Sequence, residues 1–178
     1  MTGAAQRGPR LFFALWPTDE FRAEIQVSTL AIAQASGGRL IPPRNYHVTL
    51  LFLGDVPSES VSAVQQAGAQ LAGSPAFKLN FDGIESWGRN VLCLTTSTPP
   101  AAAIDLAQRL RSQLGGHLQR QDEHEFRPHI TLARDLPRAS PIHKVKTLCQ
   151  EVTGFALVES VRDATGSNYS LLARWPLN

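Results

Sequence analysis

Asn45 to Val56 reads NYHVTLLFLGDV, and its motif His47-Val48-Thr49-Leu50 returns as His129-Ile130-Thr131-Leu132, 129 − 47 = 82 residues later. Each copy alternates polar with apolar residues and is rich in strand-favouring side chains, the pattern of a half-buried strand. Successive side chains of a strand point to opposite faces. His47 and Thr49 therefore share one face, about 6 to 7 Å apart, and Val48 and Leu50 share the other. The polar face is expected to be accessible and the apolar face to lie in the core. An imidazole with a hydroxyl beside it is half of a phosphate site, and two copies make a whole one.

The flanking chain repeats with the motif. Arg10 to Trp16 (RLFFALW) reads as a buried strand closed by Pro17. Thr18 suits the cap of a helix with Asp19 and Glu20 in its first turn and Phe21, Ile25, Thr29 and Ile32 on one face, stopped at Gly37-Gly38. The first motif strand follows Pro42-Pro43. Beyond Gly54-Asp55 come a helix from Ser58, carrying Val61, Val64, Gly68 and Leu71, and a strand from Phe77 towards Trp87. After a turn at Gly88-Arg89-Asn90 the order begins again with a strand, Val91 to Thr95. A helix opened by Pro99-Pro100 follows, with Ala103, Ala107, Leu110 and Leu114 on one face and Gly115-Gly116 at its end, and then the second motif strand. A short helix is expected after Pro141, ending near Cys149. A strand from Val152 to about Arg162 and a last strand from Tyr169 to Trp175 complete the chain.

Three landmarks share nearly one spacing: the strand starts (91 − 11 = 80), the histidines (82) and Phe77 with Phe155 (155 − 77 = 78). This argues for an internal duplication in which each of two pseudo-equivalent lobes gives one histidine to a central groove. Residues 1–9, small and polar, are expected to be a disordered start, and residues 10–178 one bilobal unit.

At 178 residues, 43% hydrophobic and 18% charged, the composition is that of a globular protein with a sizeable core. No apolar run is long enough to span a bilayer, and the N-terminus lacks the apolar core of a secretory signal. A net charge of +2 is not a general nucleic-acid-binding field. Cys93 and Cys149, without a secretory signal, are expected to be buried free thiols rather than a disulfide, which points to the cytoplasm.

Histidine is the side chain whose ordinary pKa, about 6.5, lets it give or take a proton near neutrality. Two of them across a groove can act as acid and base on opposite sides of a phosphodiester, one deprotonating water and the other protonating the leaving oxygen. Threonine hydroxyls can donate to the non-bridging oxygens, where charge is held through the transition state. Neither step requires a metal or another cofactor. A metal site would need more ligands than His47 and His129. The chain has no HExxH motif, no cysteine cluster and no compact carboxylate set, while His117, His124 and His143 read as solvated surface residues.

With both motifs present, the chain resembles the two-histidine phosphoesterase superfamily, defined by paired H-x-T-x motifs. Within it the resemblance is to the RNA 2′,3′-cyclic phosphodiesterases, also called 2′-5′ RNA ligases or LigT-like proteins. It covers nearly the whole chain, from RLFFALWP (10–17) through NYHVTLLFLGDV (45–56) and RPHITLARD (127–135) to the closing LARWPL. The resemblance implies an α+β fold of two pseudo-symmetric lobes, antiparallel-rich sheets with flanking helices around a central groove. It also implies hydrolysis of an RNA 2′,3′-cyclic phosphate end to a 2′-phosphomonoester, with His47 as proton donor to the 3′ oxygen, His129 as proton acceptor from water, and Thr49 and Thr131 on the phosphate.

Arg134 belongs to the family pattern as a further phosphate contact. Strict alternation from His129 puts it on the opposite face, so that contact needs a twist, a bulge or an early strand end. Phe13 is a candidate for stacking on a base, against a reading as a core phenylalanine. The expected partner is RNA with a cyclic phosphate end, bound by a monomer. Two alternatives use the same residues: 2′-5′ ligation of RNA halves, and non-catalytic binding of RNA ends or nucleotides.

Overall fold

The computed structural model describes residues 8–88, 90–115, 125–163 and 166–178. His117 and His124 lie outside them, as do residues 1–7. Among the described residues nine strands and three α-helices follow one another as β1 (Arg10–Leu15), α1 (Asp19–Ala35), β2 (Arg39–Leu40), β3 (Val48–Asp55), α2 (Val61–Gln70), β4 (Phe77–Trp87), β5 (Val91–Thr95), α3 (Ala101–Leu114), β6 (His129–Arg134), β7 (His143–Val152), β8 (Gly154–Asp163) and β9 (Gly166–Pro176). All the pairings are antiparallel, and they build two sheets, β3-β1-β8-β9 and β2-β6-β5-β4-β7.

Local signals work largely as expected. The Thr18 side chain caps α1 by accepting from the Phe21 amide at 3.2 Å, and Gly37 takes the positive φ (+70°) of the turn that follows. Along α3, Ala103, Ala107, Leu110 and Leu114 are buried. The expected helix after Pro141 is instead the ten-residue strand β7. Its buried face is Leu148, Gln150 and Val152, and the polar Gln150 interrupts the apolar period-two pattern that would have marked a strand. Cys149 consequently lies exposed on β7, while Cys93 is buried in β5.

The duplication is present, but the lobes are not the two halves of the sequence. Aligning the copies places β1, α1, β3, β4 against β5, α3, β6, β8. Strands β3 and β1 are completed by β8, from the second copy, and β6 and β5 by β4, from the first. The helices cross as well: α1 packs against β7 and β6, and α3 against β3. A single core joins the two sheets, with Leu11, Phe13 and Leu15 of β1 in the same cluster as Leu92 and Leu94 of β5. A smaller cluster, Phe12, Ala14, Ala156 and Val158, lies on the opposite face of β1 and β8 and underlies the groove.

Candidate active site

Both motif histidines line one groove of about 600 Å³ between the sheets, together with Thr49, Thr131 and Arg134. Each imidazole is anchored in the same way. His47 Nδ1–H donates to the Asn45 carbonyl at 2.7 Å and His129 Nδ1–H to the Arg127 carbonyl at 2.8 Å. A carbonyl only accepts, so the proton of each neutral ring sits on Nδ1, and Nε2 is the nitrogen left for a ligand. The Thr49 hydroxyl lies 3.1 Å from His47 Nε2. The turn before His47 is held in turn by Asn45 Nδ2, which donates to the Ser167 carbonyl at 2.8 Å.

Both imidazoles resist protonation. Burial is the main cause and pulls His47 down to about 4, with the His129, Arg134 and Arg22 charges adding to it and the hydrogen bond to Asn45 opposing it. His129 is lowered as well, by burial first and then by Arg134 and Arg127. An anion between the rings would reverse these charge effects.

A bulge decides where Arg134 points. In the β5–β6 ladder Leu92 faces Ala133 and Cys93 faces Thr131, which leaves Leu132 as an extra residue. Leu132 and Ala133 are both buried and Arg134 emerges exposed on the groove side with His129 and Thr131. The same irregularity occurs in β3, where Phe13 faces Leu51 and Ala14 faces Thr49, with Leu50 extra. Leu50 and Leu132 are 82 residues apart, so the bulge is duplicated with the motif. Its outcome in β3 is Phe52, which lies 46% exposed in the groove under the Arg10 guanidinium, 4.6 Å from the ring centroid.

Phe13 cannot meet a base. It is fully buried, with its ring 5.8 Å from that of Trp175 and 6.2 Å from that of Phe155. Alternation along β1 sends Phe12 to the groove instead, 4.9 Å from His47, but at 3% exposure it supports the imidazole rather than presenting a face. The most exposed aromatic in the groove is Phe52, which strict alternation from His47 would turn inward, and the half-buried Tyr169 lines the groove beside it. Two tryptophans also escaped notice: Trp16 stacks on His47 at 5.8 Å and Trp87 packs on His129 at 4.1 Å. His143 opens β7, half-buried and outside the groove.

Among the described residues, no three His, Cys, Asp or Glu side chains cluster as a metal ligand set, and no helix is long and apolar enough to cross a membrane. A cavity of about 630 Å³ opens elsewhere, between the start of α1 and the ends of β7 and β9, and contains neither motif.

Comparison with known proteins agrees with this geometry. Residues 17–164 match the model of the 2′-5′ RNA ligase superfamily. The chain is 34% identical over 170 residues to the RNA 2′,3′-cyclic phosphodiesterase of Escherichia coli, covering 94% of this chain and 96% of that protein. It is 30% identical over 180 residues to the enzyme of the same name from Thermus thermophilus, covering 94% and 90%. The crystal structure of E. coli LigT complexed with 3′-AMP superposes with a TM-score of 0.88 at 33% identity, over 96% of this chain and 98% of that one.

Proposed function

Since the chain belongs to the 2′-5′ RNA ligase superfamily, we propose that it hydrolyses RNA 2′,3′-cyclic phosphate ends to 2′-phosphomonoesters, with His47 and His129 as the acid–base pair. The observation that carries this reading is the convergence of two imidazoles on one groove, each with Nδ1 tied to a carbonyl and Nε2 left to work. His129 Nε2 takes a proton from water as the water oxygen bonds to phosphorus. The bond from phosphorus to O3′ breaks in line, and His47 Nε2–H passes its proton to O3′. Thr49, Thr131 and Arg134 donate to the non-bridging oxygens, whose charge is held throughout the displacement. The substrate anion favours the protonated form of His47 against the effect of burial, so binding loads the acid.

The exposed face of Phe52 is the base platform in this reading, a role that tolerates any nucleobase. Every side chain of the proposed site comes from one chain, so a monomer suffices. A cytoplasmic location belongs to the same reading, because the substrate is RNA and the exposed Cys149 is a free thiol.

The test is incubation with EDTA and an RNA ending in 2′,3′-cyclic phosphate. The expected product is the 2′-phosphate, and a 3′-phosphate or a requirement for added metal overturns the mechanism. Adding an RNA with a free 5′-hydroxyl measures ligation through the same site, which is expected to remain the minor outcome against water.

A further inference from the structure

Behind each motif histidine the structure repeats a stack that the sequence duplication does not generate. His47 lies against Trp16, and the Arg22 guanidinium sits 4.7 Å from the centroid of that indole, paired with Asp19 at 2.9 Å. His129 lies against Trp87, the Arg127 guanidinium sits 4.8 Å from that centroid, and Arg127 pairs with Glu85 at 3.1 Å. Trp16 and Trp87 are 87 − 16 = 71 residues apart, off the common spacing, so the two stacks arose separately.

They differ in one respect. The Arg127 side chain is 63% exposed, whereas that of Arg22 is only 8% exposed. Its carboxylate partner Asp19 stands 94% exposed in water, and its buried Nη2 meets no hydrogen-bond partner among the described residues. Arg22 also donates from Nε to the Tyr46 carbonyl at 3.3 Å, the peptide immediately before His47. For packing alone an apolar side chain of similar volume would do better, because a half-compensated buried charge is costly.

We infer that Arg22 is a positioning residue for the reaction. It fixes the His47 ring through Trp16 and the His47 backbone through Tyr46, and it adds a positive charge on the protein side of that imidazole. This rests on the reading of His47 as the proton donor. The charged and titratable groups that face His47 are His129 and Arg134 from β6, Tyr169 from β9 and Arg22 from α1. Arg134, Arg22 and, when protonated, His129 disfavour its proton, and Arg22 is the one set behind the ring rather than lining the groove. Burial does most to keep His47 unprotonated in the free protein, and the Arg22 charge adds to it from behind the ring.

The test follows the His47 imidazole by NMR in the whole protein without substrate, with the resonance identified by its loss in His47→Gln. Arg22→Met is expected to raise the His47 midpoint by about half a unit or more and to lower kcat at least about tenfold with KM little changed. Arg22→Lys keeps the charge but loses the fork, so the midpoint should hold while kcat falls. Asp19→Asn, at an exposed position that does not threaten folding, should move the midpoint downward. Arg127→Met should move His129 less than Arg22→Met moves His47. An unmoved His47 midpoint in Arg22→Met, an upward shift in Asp19→Asn, or equal shifts at the two histidines would overturn the inference. Full activity in His47→Ala would instead overturn the functional reading, and it leaves the NMR result to be judged by itself.

Discussion

Phe52 and Arg134 occupy the same position in two copies of one bulged strand, 134 − 52 = 82 residues apart, and both emerge into the groove. A shared backbone irregularity thus delivers an aromatic face from one lobe and a cation from the other into one groove. Their substitutions should separate. Phe52→Ala is expected to raise KM for nucleotide substrates about 5- to 100-fold, the worth of one base stack, with kcat largely kept. Arg134→Met should lower kcat about 10²- to 10³-fold. Steady-state kinetics with purine and pyrimidine ends checks both, and the reverse pattern would show that the roles are exchanged.

Removal of either imidazole should cost about 10²- to 10⁴-fold in kcat/KM while leaving the circular dichroism unchanged, since each ring stands at the groove and not in the joint core. His47→Gln and His129→Gln measured singly and together should be non-additive if, as proposed, the two groups serve one displacement as acid and base.

For the pH dependence, His129 must be neutral to accept a proton and His47 protonated to give one. Both are lowered in the free protein, His47 to about 4. In the proposed mechanism the profile of kcat/KM, which reports the free enzyme, should therefore be a bell centred on the acid side of the ordinary histidine value and already declining by about pH 6.5. The limbs of kcat should lie at higher pH, since bound phosphate favours the charged imidazoles. A flat kcat/KM profile between pH 5 and 9 would contradict a two-histidine mechanism.

The same shifts link folding to pH. A histidine lowered in the folded state stabilises the protein above its unfolded pKa, about 6.5, and that stability drains away as the pH falls towards the folded value, about 4 for His47. The melting temperature is expected to drop over this window. His47→Gln should flatten the drop, and saturating inorganic phosphate should reduce it.

Phe13→Ala is predicted to behave as a core deletion, losing about 3 to 5 kcal/mol of stability, with the KM of the folded fraction unchanged. Urea unfolding with parallel kinetics decides the matter, and a raised KM at intact stability would return Phe13 to the groove.

The site was legible in the sequence to the extent that it depends on local periodicity. His47, Thr49, His129 and Thr131 lie on the groove because motif and alternation agree. Alternation failed one residue later, at Leu50 and Leu132, because an inserted residue that flips the facing leaves no mark in a run of apolar side chains. Strand β7 was obscured by its buried Gln150. The tryptophan and arginine stacks join residues from separate elements, and neither spacing nor repeat announces such contacts. The exchange of β4 and β8 between the lobes is likewise a long-range pairing choice, to which the duplicated pattern is indifferent.

That exchange bears on synthesis. The sheet carrying His47 is completed by β8 and β9, which follow both motifs in the chain, and Ser167, which steadies the turn before His47, also lies beyond the second motif. A nascent or truncated chain can contain both motifs and still lack the scaffold that aligns them.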